Sequence, residues 1–369
     1  MTNFIDRLLE LTIQIQQVPS PTFEEKKRAE FVRDLFIGEK LQNVSIDSVN
    51  DVFARLSSSK NIKDESKKPL IISAHLDTVF PANTNLHATR EPDRIYGPGI
   101  GDNSTGVAAL FGLLWLLRER KIELPGDVWF VANSGEEGLG DLRGMKAVVD
   151  RFGGNVSAYL VVEGASFGHV YHRAVGVRRY RVTARTAGGH SWSDFGQPSA
   201  IHELTRLVTQ ITSLYVPSTP RTSLNVGKIS GGTGVNVLAA DATFELDLRS
   251  ENPNTLNELI RQVEDLIHAA GRAGVMIESE IIGQRPAGEI PTDHPLVKLG
   301  EECLRPFGLK AELTSGSTDA NIPLSRGYPA VVLGVTTGGG AHTVHEYIDT
   351  APVESGMEQL VNFIEKIWK

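Results

Sequence analysis

The sequence predicts an α/β protein: a mixed, mostly parallel sheet covered by helices, with a ferredoxin-like α+β domain inserted into it. The length of 369 residues is greater than that of an ordinary domain with a single hydrophobic core, and it therefore favours two domains. From Leu70 onward apolar strands alternate with helical patterns, which indicates a mostly parallel sheet. Within residues 176–284, strands of alternating polarity follow a β-α-β-β-α-β order. We therefore expect a discontinuous larger domain, residues 1–175 and 285–369, and an insert at 176–284.

The chain before Leu70 predicts two helices and two short strands. An apolar periodicity interrupted by charged residues covers residues 1–17, which indicates an amphipathic helix and not a signal peptide. After a proline-rich break, residues 22–25 resemble a capping box that opens a second helix toward residue 40. Short β-rich pieces follow within 44–56, and the Lys/Asp/Ser-rich stretch 57–68 predicts a solvated loop.

The remaining elements alternate along both domains. The longest apolar run, residues 106–117, is too short to span a bilayer, so we expect a buried helix and no membrane partner. In the larger domain the expected elements are strands at 70–75, 127–132 and 158–162, helices at 105–120 and 142–152, and a final helix at 353–368. In the insert they are strands at 178–186, 224–230, 242–249 and 275–282, and helices at 199–214 and 255–270.

Composition narrows the functional class. The net charge of −8, without a basic cluster interleaved with aromatic residues, argues against a nucleic-acid partner. Cys303 is the single cysteine, so an intrachain disulfide and a cysteine-based zinc site are excluded, and any metal must bind to His, Asp or Glu. We expect a cytoplasmic enzyme.

Two side chains at the end of the first apolar strand suggest metal chemistry. His75 and Asp77 are spaced i, i+2, which on a strand places both on one face, so Asp77 could hold the imidazole in one tautomer. Taken alone, such a pair is most often a satisfied polar pair that faces a loop. The residues that follow later in the chain change this interpretation.

An acid also follows the glycine-rich turn at 97–101, where Asp102 precedes the buried helix. A phosphate-binding loop is the obvious alternative, but no Lys-Ser/Thr pair follows the glycines and a carboxylate would repel phosphate. No Gly-x-Gly-x-x-Gly is present there either, which argues against a dehydrogenase. A carboxylate at this position suits a cation.

Further acids and a histidine recur at later strand ends. Glu136 and Glu137 follow the next strand, Glu163 ends the one after it, and His342 follows a late run of glycines. Paired glutamates alone are often a solvated pair. Because an open α/β sheet builds its site at the carboxyl ends of its strands, these residues, with His75 and Asp102, instead predict a two-metal site with one bridging carboxylate.

The complete set of motifs resembles the two-zinc metallopeptidases and deacylases that include carboxypeptidase G, peptidase T, acetylornithine deacetylase and succinyl-diaminopimelate desuccinylase. In the order of that family, the chain carries His-x-Asp, Gly-x-Gly-x-x-Asp, Glu-Glu-Gly, a later acid and Ala-His-Thr-x-x-Glu-Tyr. The resemblance covers nearly the whole chain and implies the family's zinc-peptidase fold. The segments 139–144 and 189–192 look closer to peptidase T.

The resemblance also implies a division of labour among these residues. Asp102 would bridge two divalent metals, His75 and Glu163 would complete one site, and Glu137 and His342 would complete the other. Asp77 would orient His75, Glu136 would be the general base, and the Asp102–Asn103 peptide would be cis. Zinc is the expected metal, and the same ligands accept cobalt or manganese.

The insert resembles the family at three further residues. His190 would polarise the substrate carbonyl, usually from the partner subunit of a homodimer, while Asn236 and Arg249 would bind the substrate and its carboxylate. Without the resemblance, His190 is an ordinary turn histidine and Arg249 a strand-edge cation. The chain departs from common patterns at Ser104, where relatives often have a lysine, and at Ser317, which replaces a glycine.

The predicted function is hydrolysis of a peptide or amide bond in a small substrate that bears a carboxylate, such as a di- or tripeptide or a C-terminal residue. Within the same family, an N-acyl amino acid deacylase or desuccinylase would share every residue named above. A catalytically silent metal-binding homologue is the alternative from another class, although such proteins usually lose the base or a ligand, and this chain keeps both glutamates and all five ligands.

Overall fold

The computed structural model describes residues 2–59, 62 and 64–369. Met1, in the first predicted helix, and three positions of the predicted loop at 57–68 therefore lie outside the described residues. The chain forms two compact units: unit 1 is Met1–Ala174 with Glu289–Lys369, and unit 2 is Val175–Gly288. The stretch 176–284, expected as an insert, lies inside unit 2.

The secondary structure follows the predicted alternation. The helices are α1 (Thr2–Gln16), α2 (Lys26–Gly38), α3 (Gly106–Glu119), α4 (Arg143–Phe152), α5 (Ala200–Thr212), α6 (Pro253–Ala270), α7 (Pro295–Leu304), α8 (Asn321–Ser325) and α9 (Val353–Lys366), with a π-type turn at Ile100–Thr105 and a 3-10 turn at Arg305–Phe307.

The strands up to the middle of the chain are β1 (Gln42–Ile46), β2 (Val52–Leu56), β3 (Leu70–His75), β4 (Thr89–Arg90), β5 (Arg94–Tyr96), β6 (Val128–Asn133), β7 (Ala158–Glu163), β8 (His169–Ala174), β9 (Gly176–Arg185) and β10 (Gly189–His190). Those that follow are β11 (Thr222–Gly231), β12 (Val237–Leu238), β13 (Asp241–Ser250), β14 (Met276–Arg285), β15 (Gly288–Glu289), β16 (Glu312–Gly316), β17 (Ala330–Gly334), β18 (Gly338–Gly339) and β19 (Tyr347–Asp349).

The main sheet of unit 1 confirms the predicted mixed architecture. Its order is β1-β2-β6-β3-β7-β17-β8-β15, and β16 pairs with β8. The central neighbours β6, β3, β7 and β17 run parallel, while β1, β2 and the β17–β8 pair are antiparallel. Because parallel strands end at one edge, the residues after β3, β6 and β7 lie at the same edge of the sheet.

The apolar run at 106–117 forms the core helix α3, as expected. Val107, Leu110 and Leu113 are fully buried, and α3 contacts α1, α9 and the sheet. The segment from the π-type turn to the end of α3, Ile100–Glu119, is long and apolar enough to cross a bilayer, but most of it is buried inside unit 1. Its hydrophobicity is therefore accounted for by burial in a protein core.

The predicted capping box at 22–25 is wrong. Helix α2 begins at Lys26 without a side-chain cap. The Thr22 hydroxyl instead donates to Asp77 Oδ2 at 2.9 Å, and the buried Glu25 carboxylate accepts the Phe23 N–H at 2.9 Å and pairs with Arg143. The sequence has the residues of a capping box, but the Thr22 hydroxyl binds the distant Asp77 carboxylate and not the backbone of the helix.

Unit 2 is a ferredoxin-like sandwich. Strands β9, β11, β13 and β14 form an antiparallel sheet in the order β11-β13-β9-β14. Helices α5 and α6 cover one face, where Leu204 and Val263 join Val182 and Phe244 in a separate apolar core. The unit therefore has a core of its own.

Candidate active site

Asp102 lies between two histidines. Its Oδ1 is 3.0 Å from His75 Nε2, and its Oδ2 is 3.1 Å from His342 Nε2. The residue sits in the turn before α3, where Asp102 and Asn103 leave helical geometry and are joined by a cis peptide, as the resemblance implies. A carboxylate that presents one oxygen to each imidazole has the arrangement of a bridging ligand.

The other expected ligands complete two groups that share Asp102. On one side Glu163 Oε2 lies 3.8 Å from His75 Nε2, and on the other Glu137 Oε1 lies 3.2 Å from His342 Nε2. Within each group the ligand atoms lie within 4.8 Å of one another. Residues from the ends of β3 and β7, the loop after β6 and the segment before β19 thus meet at one place.

Glu136 lies beside these groups. Its carboxylate, with His75 and Glu137, forms a third set of atoms within 4.8 Å of one another, and the residue is almost fully buried. Glu136 and Glu137 are adjacent in the chain, and both face the cluster, so the interpretation of a solvated surface pair does not apply to them.

Asp77 supports the site in a way that the sequence did not fully predict. His75 Nδ1 donates to the backbone carbonyl of Asp77 at 3.0 Å, while the Asp77 carboxylate lies 3.6 Å from that nitrogen. The carboxylate instead accepts the backbone N–H groups of Glu136 and Glu137, each at 2.9 Å. The carbonyl thus fixes the tautomer that leaves Nε2 facing Asp102, and the carboxylate holds the glutamate pair.

The carboxylates crowded together in this cluster favour the binding of positive charge. Burial alone would lower the pKa of His75, but the carboxylates of Asp102 and Asp77 raise it well above its usual value. Hydrogen bonds to Asp102 and Glu137 raise the pKa of His342 to about 10. Burial, with repulsion from Asp102 and Glu136, raises the pKa of Glu163. Two divalent cations would supply this charge, and the nitrogen and oxygen donor set without a thiolate fits zinc, cobalt or manganese.

The supporting roles of two residues, Glu346 and Asn103, were not predicted from the sequence. The buried Glu346 carboxylate accepts the N–H groups of Gly99, Gly101 and Asp102. Burial raises the pKa of Glu346 to about 7, although these N–H groups oppose that shift. The only sequence signal was its place four residues after His342 in the last motif.

Asn103 is the second supporting residue. Its Nδ2 donates to the Val162 carbonyl at 2.9 Å, and its Oδ1 accepts the Gly164 N–H at 2.9 Å. These two bonds hold the backbone on both sides of Glu163, so the turn that carries Asp102 is tied to the next strand end. An amide has both a donor and an acceptor, whereas an ionised carboxylate at this position could accept the Gly164 N–H but could not donate to the Val162 carbonyl.

His190 and Asn236 lie close together in unit 2. Strand β10 pairs with β12 in register His190 to Val237, and the Ser191 N–H donates to the Asn236 carbonyl at 3.0 Å. His190 is exposed, and its Nδ1 accepts the N–H groups of Trp192 and Ser193 at 3.2 and 3.4 Å. In the neutral ring the proton is therefore on Nε2, which makes that atom a donor.

Arg249 lies elsewhere in unit 2, near the end of β13. Its Nε donates to Asp247 Oδ2 at 2.6 Å, and Arg179 Nε donates to the other oxygen of the same carboxylate at 2.8 Å. The Arg249 side chain is 42% exposed and that of Arg179 is 18% exposed. Arg249 thus forms an ion pair with Asp247 while its side chain stays partly exposed.

Comparison with known proteins identifies relatives along most of the chain. Residues 71–368 match peptidase family M20/M25/M40. The chain is 25% identical over 355 residues to the succinyl-diaminopimelate desuccinylase of Corynebacterium glutamicum, covering 93% of this chain and 91% of that protein. It is similar in fold to a Staphylococcus aureus tripeptidase (TM-score 0.83, 23% identity, 98% of both chains) and to the Bacillus cereus aminopeptidase PepT (TM-score 0.80, 20% identity, 99% of both chains).

Proposed function

Because the chain belongs to peptidase family M20/M25/M40 and is a metal-dependent hydrolase of peptide or amide bonds, we propose that it cleaves small substrates that carry a free carboxylate. The observation that carries this proposal is the position of Asp102 between His75 and His342, with Glu136 beside His75. Di- and tripeptides, or release of a C-terminal residue, are the proposed substrates and reaction.

In the proposed mechanism, His75, Asp102 and Glu163 would hold one metal, and Asp102, Glu137 and His342 the other. Bound divalent cations supply Lewis acidity, which lowers the pKa of a water and polarises the substrate carbonyl. Glu136 accepts the proton of the attacking water and gives it to the leaving nitrogen, so the amide becomes an acid and an amine. The bonds from Asp77 to the Glu136 and Glu137 backbone keep this base beside the site.

Unit 2 would supply the groups that bind the substrate. His190 has its Nε2 proton available to donate to the substrate carbonyl oxygen, because Nδ1 already accepts two backbone N–H groups. Asn236 and Arg249 would bind the substrate and its carboxylate, and a planar guanidinium suits a carboxylate because it can form two parallel hydrogen bonds. Asp247 limits the freedom of Arg249 without enclosing it.

The second candidate is an N-acyl amino acid deacylase, because the desuccinylase from Corynebacterium glutamicum aligns along almost the whole chain. The deciding experiment is a panel of di- and tripeptides, N-acetyl amino acids and N-succinyl amino acids, assayed on enzyme of measured metal content. Turnover of peptides with a free carboxylate, and none of their amidated forms, is the expected result. Exclusive turnover of acyl amino acids would replace the peptidase assignment.

We also propose a homodimer that forms through unit 2, in which His190 serves the partner's site. Unit 2 exposes large apolar side chains, including Trp192 (87%), Tyr215 (84%) and Ile229 (59%), of a kind that interfaces often cover. Sedimentation should give the mass of a dimer, and the charged side chain of Ile229→Lys should weaken the dimer; a monomeric native protein would contradict the proposal.

Zinc as the resident metal and the cytoplasm as the location remain predictions.

A further inference from the structure

We propose that Glu346 is a positioning residue that holds the shared ligand Asp102 in its bridging orientation. This inference rests on the proposed function, since it assigns Glu346 a role toward the two metals without making it a ligand. Glu346 lies four residues after His342, and its carboxylate contacts the backbone of the Asp102 turn and not the cluster of ligand atoms.

The carboxylate of Glu346 is used entirely for the backbone of this turn. Its Oε1 accepts the N–H groups of Gly101 and Asp102, both at 2.7 Å, and its Oε2 accepts that of Gly99 at 2.8 Å. The residue is 2% exposed, and in the described ranges 2–59, 62 and 64–369 no cationic side chain pairs with it. A buried anion held only by N–H donors is costly unless those donors are fixed in place.

The turn is shaped to accept this carboxylate. Gly99 has φ +72°, and a Cβ on Gly101 would lie 3.2 Å from Glu346 Oε1 and 3.1 Å from Ile348. The Glu346 backbone carbonyl also accepts the Gly97 N–H at 2.9 Å. The glycines thus allow four hydrogen bonds between Glu346 and the segment 97–102, which leaves the Asp102 side chain facing the histidines.

The same segment also carries a ligand. His342 has φ +64°, and Tyr347, directly after Glu346, pairs with Tyr96 at the start of the Asp102 turn. One short stretch therefore presents His342 to Asp102 Oδ2 and fixes the backbone from which Asp102 projects. A shift of Glu346 would move His342 relative to Asp102. We therefore expect the loss of Glu346 to affect the bridging position of Asp102 more than the stability of the fold.

The test uses Glu346→Ala and Glu346→Gln, with Asp127→Ala as the control. Asp127 also accepts a backbone N–H, from Ser58 at 2.9 Å, but it precedes β6 and so lies at the opposite end of that strand from Glu136. Each purified protein is titrated with Co²⁺ against a competing chelator, and the bound form is examined by visible absorption and by the magnetic coupling between the two ions.

We expect Glu346→Ala to weaken Co²⁺ binding by roughly 10- to 100-fold and to reduce the coupling between the ions. Glu346→Gln should fall between it and the native protein, since an amide oxygen can replace Oε1 but the amide nitrogen cannot accept the Gly99 N–H. Asp127→Ala should lower the melting temperature and leave both metal readouts unchanged.

A folded Glu346→Ala protein that binds two Co²⁺ ions with native affinity and coupling would overturn the proposal. If the alanine variant does not fold, Glu346→Gln decides in the same way, because native binding and coupling there would also overturn it. Failure of the native protein to bind two ions would instead contradict the proposed function, so the two outcomes are distinct.

Discussion

The two regions that carry the candidate residues are built differently. In unit 1, His75, Glu136 and Glu137 are at least nine-tenths buried, and each is held by Asp77 through a backbone bond. In unit 2, His190 is exposed at the end of the short strand β10, Asn236 lies on an exposed turn, and Arg249 is partly exposed on a strand. These three residues of unit 1 are fixed in advance by buried hydrogen bonds, although His342 of the same unit is 56% exposed, and the residues of unit 2 are open to solvent.

This difference indicates where each property of the enzyme resides. Metal binding demands ligands placed to within fractions of an ångström, and a buried, hydrogen-bonded setting supplies that precision. Groups that meet the substrate can be exposed, provided that their protonation and local conformation are set. Changes in unit 1 should therefore alter metal content or the chemical step, and changes in unit 2 should alter kcat or KM at full metal content.

The largest expected effect is that of Glu136→Gln. The backbone N–H of Glu136 makes the bond to Asp77, so the substitution removes the base without removing that support. We expect kcat to fall by about 10²- to 10⁴-fold while two metals stay bound. Metal analysis and steady-state kinetics check this, and Glu137→Gln, which should lose metal, is the contrasting variant. Native turnover in Glu136→Gln would show that the base is another residue.

The next effect tests unit 2. His190→Leu removes the Nε2 donor, and we expect kcat to fall by about 10²- to 10³-fold, as for the loss of one donor to a developing oxyanion, with metal content unchanged. His202, exposed on α5 of the same unit, provides the control in His202→Leu, which should be neutral. Loss of metal from the His190 variant would break the proposed division between the units.

A smaller effect is expected at Thr22, whose hydroxyl binds the Asp77 carboxylate. Thr22→Val should weaken metal binding by about 10-fold, because Asp77 loses one of the groups that orient it. Thr12→Val is the matched control, since the buried Thr12 hydroxyl donates to the Leu8 carbonyl inside α1. Both variants should lose about 1 kcal/mol of stability. If the two variants bind metal with equal affinity, Thr22 does not help to support the metal site.

These supporting contacts mark the limit of what the sequence could predict. The strand ends of β3 and β7 and the ligands there could be anticipated, because acids and histidines after apolar strands must converge at one edge of a parallel sheet. The partners of Thr22 and Glu346 could not be anticipated, because each side chain forms hydrogen bonds with residues that are distant in the sequence. Acceptance of backbone N–H groups leaves no pattern in the sequence, and Glu346 was marked only by its place in the last motif. The capping box expected at 22–25 shows how a local pattern can mislead.

The smallest effect is expected when the two arginines that bind Asp247, Arg249 and Arg179, are each replaced by lysine. Arg249→Lys should raise KM for a peptide with a free carboxylate by about 5-fold, roughly 1 kcal/mol, since a lysine cannot form two parallel bonds to it. Arg179→Lys keeps a cation beside the same carboxylate but lies deeper, and it should leave KM unchanged. The amidated peptide, which is not expected to be turned over, should inhibit both variants and the native protein with the same affinity. If both arginines affect KM equally, the effect comes from Asp247, and Arg249 has no direct role in binding the substrate.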